Sequence, residues 1–288
     1  MNTLLDILLQ GTLLGGLYAI SAIGLSLVFG VMRLVNLAHG DLMIAAVYVA
    51  IAFSFGATEA SPITLILVAA AFAPFGYVMQ RVLLNRVLDS DPLRPLLVTF
   101  GLSVVLQNLF LLVFSADTQR LRIDALSEAV VPVGSLSFGA LDVLIFAVAV
   151  GLAGGLQYVF FGSKLGRRLR AASDDVATLG LIGLNPRHIF AIASAIAFVV
   201  IAIAGILLAL RNNIDPFTGP SRLLVAFEAV IIGGLGSFWG TMLGALLIGI
   251  AQVTAGTIDP GWQSIGGHVV FLLVLAFRPQ GLMPRISE

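Results

Sequence analysis

The chain has 288 residues, of which 59% are hydrophobic and only 10% charged, and its mean hydropathy is +1.07. A soluble domain carries about 25% charged residues, so too few charged side chains are present here to cover a water-facing surface. Fifteen basic and fifteen acidic residues give no net charge, which disfavours nucleic acid as a partner. The absence of cysteine excludes disulfides and thiolate metal sites. This composition predicts an all-α polytopic membrane protein.

Membrane spans should appear as stretches of about 20 mostly apolar residues. Eight uncharged stretches reach or approach this length: 7–32, 42–58, 62–80, 95–114, 143–163, 189–210, 229–258 and 260–277. The stretch 229–258 is too long for one span and is interrupted by the glycine-rich run at 233–237, so we expect two segments that meet at a break. No basic residue precedes the first stretch, which we expect to be retained as a span. The prediction is one transmembrane domain, 1–288, with about eight to ten spans.

Loops rich in Lys and Arg lie on the cytoplasmic side when they are short. This rule places four segments inside, namely 33–41, 81–94, 164–188 and the C-terminal tail. It places 115–140, 211–227 and the N-terminus outside. The tail ends inside only if the chain turns back near 233–237, so the number of spans also favours a break there.

Two regions combine polar groups with flexible backbone among the apolar stretches: 36–41, and the segment from Glu228 to Ser237. Breaks in a membrane helix persist only where protein buries them or a watery cavity adjoins them, and broken helix ends offer NH and CO groups to a solute. We therefore predict broken or re-entrant segments near 36–41 and 233–237 that line a solute pathway. The candidate residues are Asn36, His39, Asp41, Glu228, Gly233, Gly234, Gly236 and Ser237. The alternatives are a plain cytoplasmic turn at 36–41, glycines that serve packing only, and Glu228 at the outer interface.

Small residues four apart allow membrane helices to approach closely. Three glycine sets have this spacing: Gly11 with Gly15, Gly151 with Gly155, and Gly236 with Gly240 and Gly244. We predict helix contacts at these positions.

The inside segment 164–188 has the periodicity of an amphipathic helix. One apolar stripe is formed by Leu169, Ala172, Val176 and Leu179, and the opposite face carries Arg167, Arg170 and Asp174. A helix lying on lipid would have bulkier apolar residues and no adjacent acidic pair. The pattern therefore favours docking to a partner protein.

Catalytic and metal-binding patterns are missing. The single lysine, Lys164, is not part of a Walker A loop. The histidines His39, His188 and His268 are too far apart in sequence to show metal-ligand spacing, and we expect His268 to serve helix packing. Few ionisable residues lie within the spans, which argues against ion-coupled transport. We predict no catalytic residue, no metal and no cofactor.

Four short motifs, in matching order and spacing over nearly the whole chain, resemble the LivH-type inner-membrane permease subunits of branched-chain amino acid ATP-binding-cassette importers. They are NLAHGD at 36–41, GRRLRA at 166–171 followed by Ala177 and Gly180, GGLGS at 233–237 followed by Gly240, and RPQGL at 278–282. The resemblance implies the all-helical permease fold of this importer class.

The resemblance also implies a set of partners: two cytoplasmic ATPase subunits, a second homologous permease in a heterodimer, and a periplasmic solute-binding protein. ATP hydrolysis would then occur on the partners, and the segment 164–188 would couple to them. The coupling residues implied are Gly166, Arg167, Arg170, Ala171, Asp174, Asp175, Ala177 and Gly180. The solute expected is a branched-chain amino acid, and urea, short amides or other amino acids are alternatives within the same class. An ion-coupled secondary transporter is the alternative outside it, because Na⁺ sites can be built from carbonyl groups alone.

Overall fold

A computed structural model describes residues 2–54, 60–88, 91, 93–127, 129–133, 136–181 and 183–283. Within these ranges the chain is almost entirely helical. The helices are α1 (Asn2–Met32), α2 (His39–Phe53), α3 (Pro62–Val82), α4 (Leu93–Phe114), α5 (Asp124–Ser127), α6 (Ala140–Gly162), α7 (Lys164–Asp174), α8 (Val176–Leu181), α9 (Pro186–Arg211), α10 (Thr218–Gly233), α11 (Phe238–Ile258) and α12 (Gln263–Phe277). A small antiparallel hairpin pairs β1 (Val130–Val133) with β2 (Leu136–Gly139).

Seven of the described helices are long and apolar enough to cross a membrane, and α12 reaches that length together with the 3-10 turn before it. They are α1, α3, α4, α6, α9, α11 and α12. Two shorter apolar helices, α2 with 15 residues and α10 with 16, accompany them. The predicted helical membrane fold is confirmed. Both predicted breaks are also present, because α1 ends at Met32 before α2 begins at His39, and α10 ends at Gly233 before α11 begins at Phe238.

The start of α10 differs from the prediction, which gave an outer loop throughout 211–227. The helix begins at Thr218, after a turn that Asp215 stabilises. The backbone N–H of Phe217 donates to Asp215 Oδ1 over 2.7 Å, and the Thr218 hydroxyl donates to Asp215 Oδ2 over 2.9 Å. Pro220 lies in the first helical turn, where its missing N–H leaves no helical hydrogen bond unmade.

The helices divide between two compact units. The central unit comprises Leu27–Arg122 and Gly155–Leu223, and in it α9 packs along α3 and against α2. The terminal unit comprises Met1–Ser26, Ile123–Gly154 and Leu224–Glu288, and in it α11 packs against α12.

Glycines hold the terminal unit together, as predicted for two of the three sets. A Cβ at Gly11 or Gly15 of α1 would press against the backbone of α11 at Ile250 or Leu246. Gly249 of α11, which the sequence spacing missed, lies against the same stretch of α1.

Two members of the later ladder also pack, because Gly240 and Gly244 of α11 lie against the backbone of α10. The third, Gly236, lies in the turn before α11. The prediction for Gly151 and Gly155 is wrong. A Cβ at either position would meet no described atom within 4 Å, so these two glycines of α6 allow no close helix contact within the described chain.

The segment 164–188 forms two helices rather than the single predicted one. Asp175 adopts an extended conformation (φ −149°, ψ 104°) that ends α7 before α8 begins. Leu169 and Leu179 of the predicted apolar stripe are buried within the chain, whereas Val176, at the start of α8, is 47% exposed. The prediction of one continuous stripe on one helix is therefore wrong.

Candidate functional site

The loop that enters α2 is buried and ordered by its own polar groups. Asn36 and His39 are 2% and 0% exposed. The Asn36 side-chain carbonyl accepts the backbone N–H of Ala38 over 3.0 Å, and the Asn36 backbone carbonyl accepts that of His39 over 3.1 Å. The backbone N–H of Leu37 donates to the Thr99 hydroxyl of α4 over 3.1 Å. Asn36 therefore shapes the start of α2, and Thr99 fixes the loop to a span.

Asp41, in the first turn of α2, is fully buried and bonded to α4. Its carboxylate accepts the Ser103 hydroxyl over 2.5 Å and the Gln107 amide over 3.1 Å. Ser103 lies near the middle of α4, which is long enough to cross the membrane. The first turn of α2 consequently lies level with the middle of a span-length helix of the central unit.

The first turn of α10 meets the first turn of α2 at this depth. A Cβ added to Gly40 would overlap the carbonyl oxygen of Gly219, and one added to Gly219 would overlap the Asp41 carboxylate. Two helix N-termini therefore converge on one buried carboxylate. Because the N-terminal end of a helix carries a partial positive charge, both termini suit a carboxylate oxygen as a hydrogen-bond acceptor.

The central unit thus brings the predicted Asn36, His39 and Asp41 together with partners that the sequence analysis missed. A signal for them exists, because Thr99, Ser103 and Gln107 are spaced four apart and form a polar stripe on an apolar span.

Glu228 and the glycine run belong to the terminal unit. Glu228 is 3% exposed, and its Oε1 lies 2.6 Å from Nδ1 of His268 on α12. The second oxygen of Glu228, Oε2, is buried without a hydrogen-bond partner among the described residues. Glu228 is therefore enclosed by protein, and His268 is a polar partner rather than only a packing residue.

The glycine run forms a tight turn at one end of the terminal unit. Gly234 and Gly236 have φ values of 102° and 82°, which side chains other than glycine rarely adopt. Ser237 caps α11 by accepting the backbone N–H of Gly240 over 3.1 Å.

The C-terminal RPQGL motif closes over this turn. Leu282 N–H donates to the Ile232 carbonyl over 2.8 Å, and Met283 N–H donates to the Gly233 carbonyl over 3.0 Å. These donors satisfy carbonyls at the end of α10, which has no further helical turn to do so. The GGLGS motif at 233–237 and the RPQGL motif at 278–282 therefore form one structural element.

The predicted coupling residues divide into an inner and an outer set. Gly166 is buried against the last carbonyls of α6, where a Cβ would overlap them. Arg170 is half-buried; it donates to the Phe160 carbonyl and lies 5.0 Å from the centre of the Phe161 ring. The prediction that Arg170 lies on the outer face is therefore wrong, because this side chain folds back onto the end of α6.

The outer set is exposed, and all of its members but Gly180 are charged. Arg167, Asp174, Asp175 and Gly180 are exposed, and so is Arg168, which the prediction did not include. Ala171 is half-buried, and the side chain of Ala177 lies outside the described residues.

The fold defines a multi-pass membrane protein, with span-length helices, two short helices that begin at buried polar sites, and a charged segment at a helix end. The family model for "Branched-chain amino acid transport system / permease component" matches residues 7–277. The chain belongs to this permease family, whose members are transport components rather than enzymes, and it is a multi-pass inner-membrane protein.

Individual relatives agree with the family. The chain is 32% identical to the high-affinity branched-chain amino acid transport system permease protein BraD of Pseudomonas aeruginosa, over 96% of this chain and 95% of that protein. It is 28% identical to LivH of Escherichia coli K12, over 96% of this chain and 94% of that protein. A shorter match joins it to LivM of the same organism, 30% identical over 42% of this chain and 28% of that protein. No solved structure matches the chain significantly.

Proposed function

We propose that this chain is the membrane-spanning permease subunit of an ATP-driven importer that carries branched-chain amino acids across the inner membrane. The observation that carries the proposal is the family match over 7–277, together with relatives of nearly equal length whose names state this transport. The partners are two cytoplasmic ATPase subunits, a second permease in a heterodimer, and a periplasmic solute-binding protein. The similarity to LivM supports the second permease, because one importer would then contain two related chains.

Coupling to the ATPases is assigned to the outer face of α7 and to α8. Arg167, Arg168, Asp174 and Asp175 would contact the groove of the ATPase. Arg170 would transmit the movement to α6 through its bonds at Phe160 and Phe161.

A second mechanical link runs from α7 to α1, because the hydroxyl of Ser173 donates to the carbonyl of Gly30 over 2.7 Å. A displacement of α7 would in this way act on the helix that precedes the buried break.

The solute pathway is assigned to the buried polar groups. In the central unit these are Asn36, His39 and Asp41, at the converging N-termini of α2 and α10. In the terminal unit Glu228 supplies a buried acceptor atom. The glycine run, comprising Gly233, Gly234 and Gly236 with Ser237, would set the helix ends that border the pathway.

Reconstitution tests this function. The chain, its candidate permease partner and the ATPase pair are placed in proteoliposomes with the binding protein outside, and uptake of radiolabelled leucine is measured with and without ATP inside. Uptake that requires both ATP and the binding protein supports the proposal. If excess urea or acetamide inhibited this uptake and excess unlabelled leucine did not, the assignment of a branched-chain amino acid as the substrate would be contradicted. Uptake without ATP that follows a Na⁺ gradient would replace the importer with a secondary transporter.

A further inference from the structure

A basic cavity lies where α3 ends and α9 begins, away from the groups assigned above. It measures about 200 Å³ and is lined by Arg81, Asn85, Arg86 and Arg187. The charge rule places both contributing segments, 81–94 and 164–188, on the cytoplasmic side. A hydrogen bond of 3.0 Å from the Asn85 amide to the Arg187 carbonyl holds them together. The cavity is therefore at the cytoplasmic end of the central unit.

The floor of the cavity is rigid. Asn85 is 7% exposed, and its side-chain oxygen accepts the Gln80 amide over 3.0 Å. Gln80 in turn accepts the Ser194 hydroxyl over 2.7 Å. With its other bond to the Arg187 carbonyl, Asn85 is fixed between α3 and α9, so the cavity keeps its shape without a ligand.

The charge of the cavity is not neutralised within the described part of the chain. None of Arg81, Arg86 and Arg187 forms an ion pair there, whereas the nearby Arg94 lies 3.8 Å from Asp91. The cavity also adjoins the N-terminus of α9, which begins at Pro186 and adds partial positive charge. A planar guanidinium group can donate two parallel hydrogen bonds to two oxygens of one phosphate. A phosphate is the anion that this geometry suits.

An exposed apolar stripe leads along α3 to the cavity. Phe75, Val78 and Val82 are 47%, 54% and 51% exposed, and their spacing places them on one face of a span-length helix. Tyr77 stands beside the stripe and bonds His188 over 2.9 Å, as expected of an aromatic residue at a membrane interface. A ligand at this place would have an anionic head and an apolar body.

We propose that the cavity binds the phosphate of an anionic phospholipid of the cytoplasmic leaflet, with the acyl chains along Phe75, Val78 and Val82. Each basic residue near the surface favours anionic lipid by about 1 kcal/mol. The three arginines should therefore favour phosphatidylglycerol over phosphatidylcholine by about a hundredfold in dissociation constant. The lipid would fix the start of α9, which follows α8 within the coupling segment 164–188.

Native mass spectrometry of the full-length chain in detergent tests the proposal, with phosphatidylglycerol and phosphatidylcholine of identical acyl chains titrated in turn. The test variant carries R81Q, R86Q and R187Q. The control variant loses three exposed charges elsewhere, through R33Q, R120Q and R278Q. The control should bind phosphatidylglycerol like the wild type. The test variant should bind it at least tenfold more weakly and no longer distinguish the two lipids.

A single R86Q change guards against misfolding of the triple variant, and it should weaken phosphatidylglycerol binding about fivefold. Equal binding by test and control variants would overturn the site. Saturation by inorganic phosphate, with no gain from the acyl chains, would make it a soluble-anion site instead. Loss of ATPase association by the test variant with unchanged lipid binding would make it a protein-docking surface. Only the last of these outcomes depends on an ATPase. Failure of the proposed function would therefore leave the lipid-binding results unchanged.

Discussion

The contact between the N-termini of α2 and α10 leads to a prediction for Gly40→Ala. The added methyl group would overlap the Gly219 carbonyl oxygen, and the next nearest atoms are also backbone, so no side chain can rotate away to make room. Overpacking of this kind costs about 1–3 kcal/mol. The helices must separate, and with them the bonds from Ser103 and Gln107 to Asp41 weaken.

Gly101→Ala is the matched control. Gly101 lies within α4, and a Cβ there meets nothing within 4 Å. In a helix interior alanine is favoured over glycine by about 0.8–1.0 kcal/mol. Gly40 also lies in a helix, so both variants share this gain and should differ in free energy of unfolding by about the overpacking cost of 1–3 kcal/mol. The assay is reversible unfolding of each purified variant in detergent, with leucine uptake measured in parallel. Equal stability of Gly40→Ala and Gly101→Ala would refute the convergence of the two helix ends.

Three further predictions follow from other contacts. Asp41→Asn should cost about 1–3 kcal/mol, because an amide cannot accept both donors as a carboxylate does; a double-mutant cycle with Ser103→Ala should be non-additive, and additivity would contradict the bond. Arg170→Gln should uncouple ATP hydrolysis from uptake while ATPase subunits still co-purify, whereas Arg168→Glu should reduce their co-purification; the reverse pattern would exchange the two roles. Gly281→Ala, at a φ of 80° and against Gly234, should lower the unfolding midpoint in detergent, and an unchanged midpoint would show that the C-terminal motif does not close the turn.

The helical membrane fold and both breaks could be predicted because each depends on local properties of the chain. The length of an apolar stretch can be compared directly with the thickness of the bilayer. A glycine-rich run such as GGLGS favours an interruption of the helix. The start of α10 was missed for a related reason. Asp215 and Pro220 are local start signals for a helix, yet the search for uncharged stretches left 211–227, which contains three charged residues, as a loop.

The candidate site was only partly predictable, because its partners depend on contacts between distant helices. Asp41 was expected, but nothing in a single sequence pairs it with Ser103, with Gln107 or with the backbone at Gly219. Arg170 illustrates the same difficulty. Helical periodicity placed Arg170 opposite the apolar stripe, which assumes that only the stripe is buried. In the structure, its side chain instead folds back and donates to the end of α6.

The central claim is that this chain works as one subunit of an ATP-driven assembly. The most direct measurement is affinity purification of a tagged copy in mild detergent, followed by identification and stoichiometry of the bound proteins by mass spectrometry. We predict one second permease of the same family and two ATPase subunits that carry Walker A motifs, with the ATPases lost in Arg168→Glu and retained in Arg33→Gln. A chain that purifies alone and still moves leucine into proteoliposomes without ATP would contradict the claim.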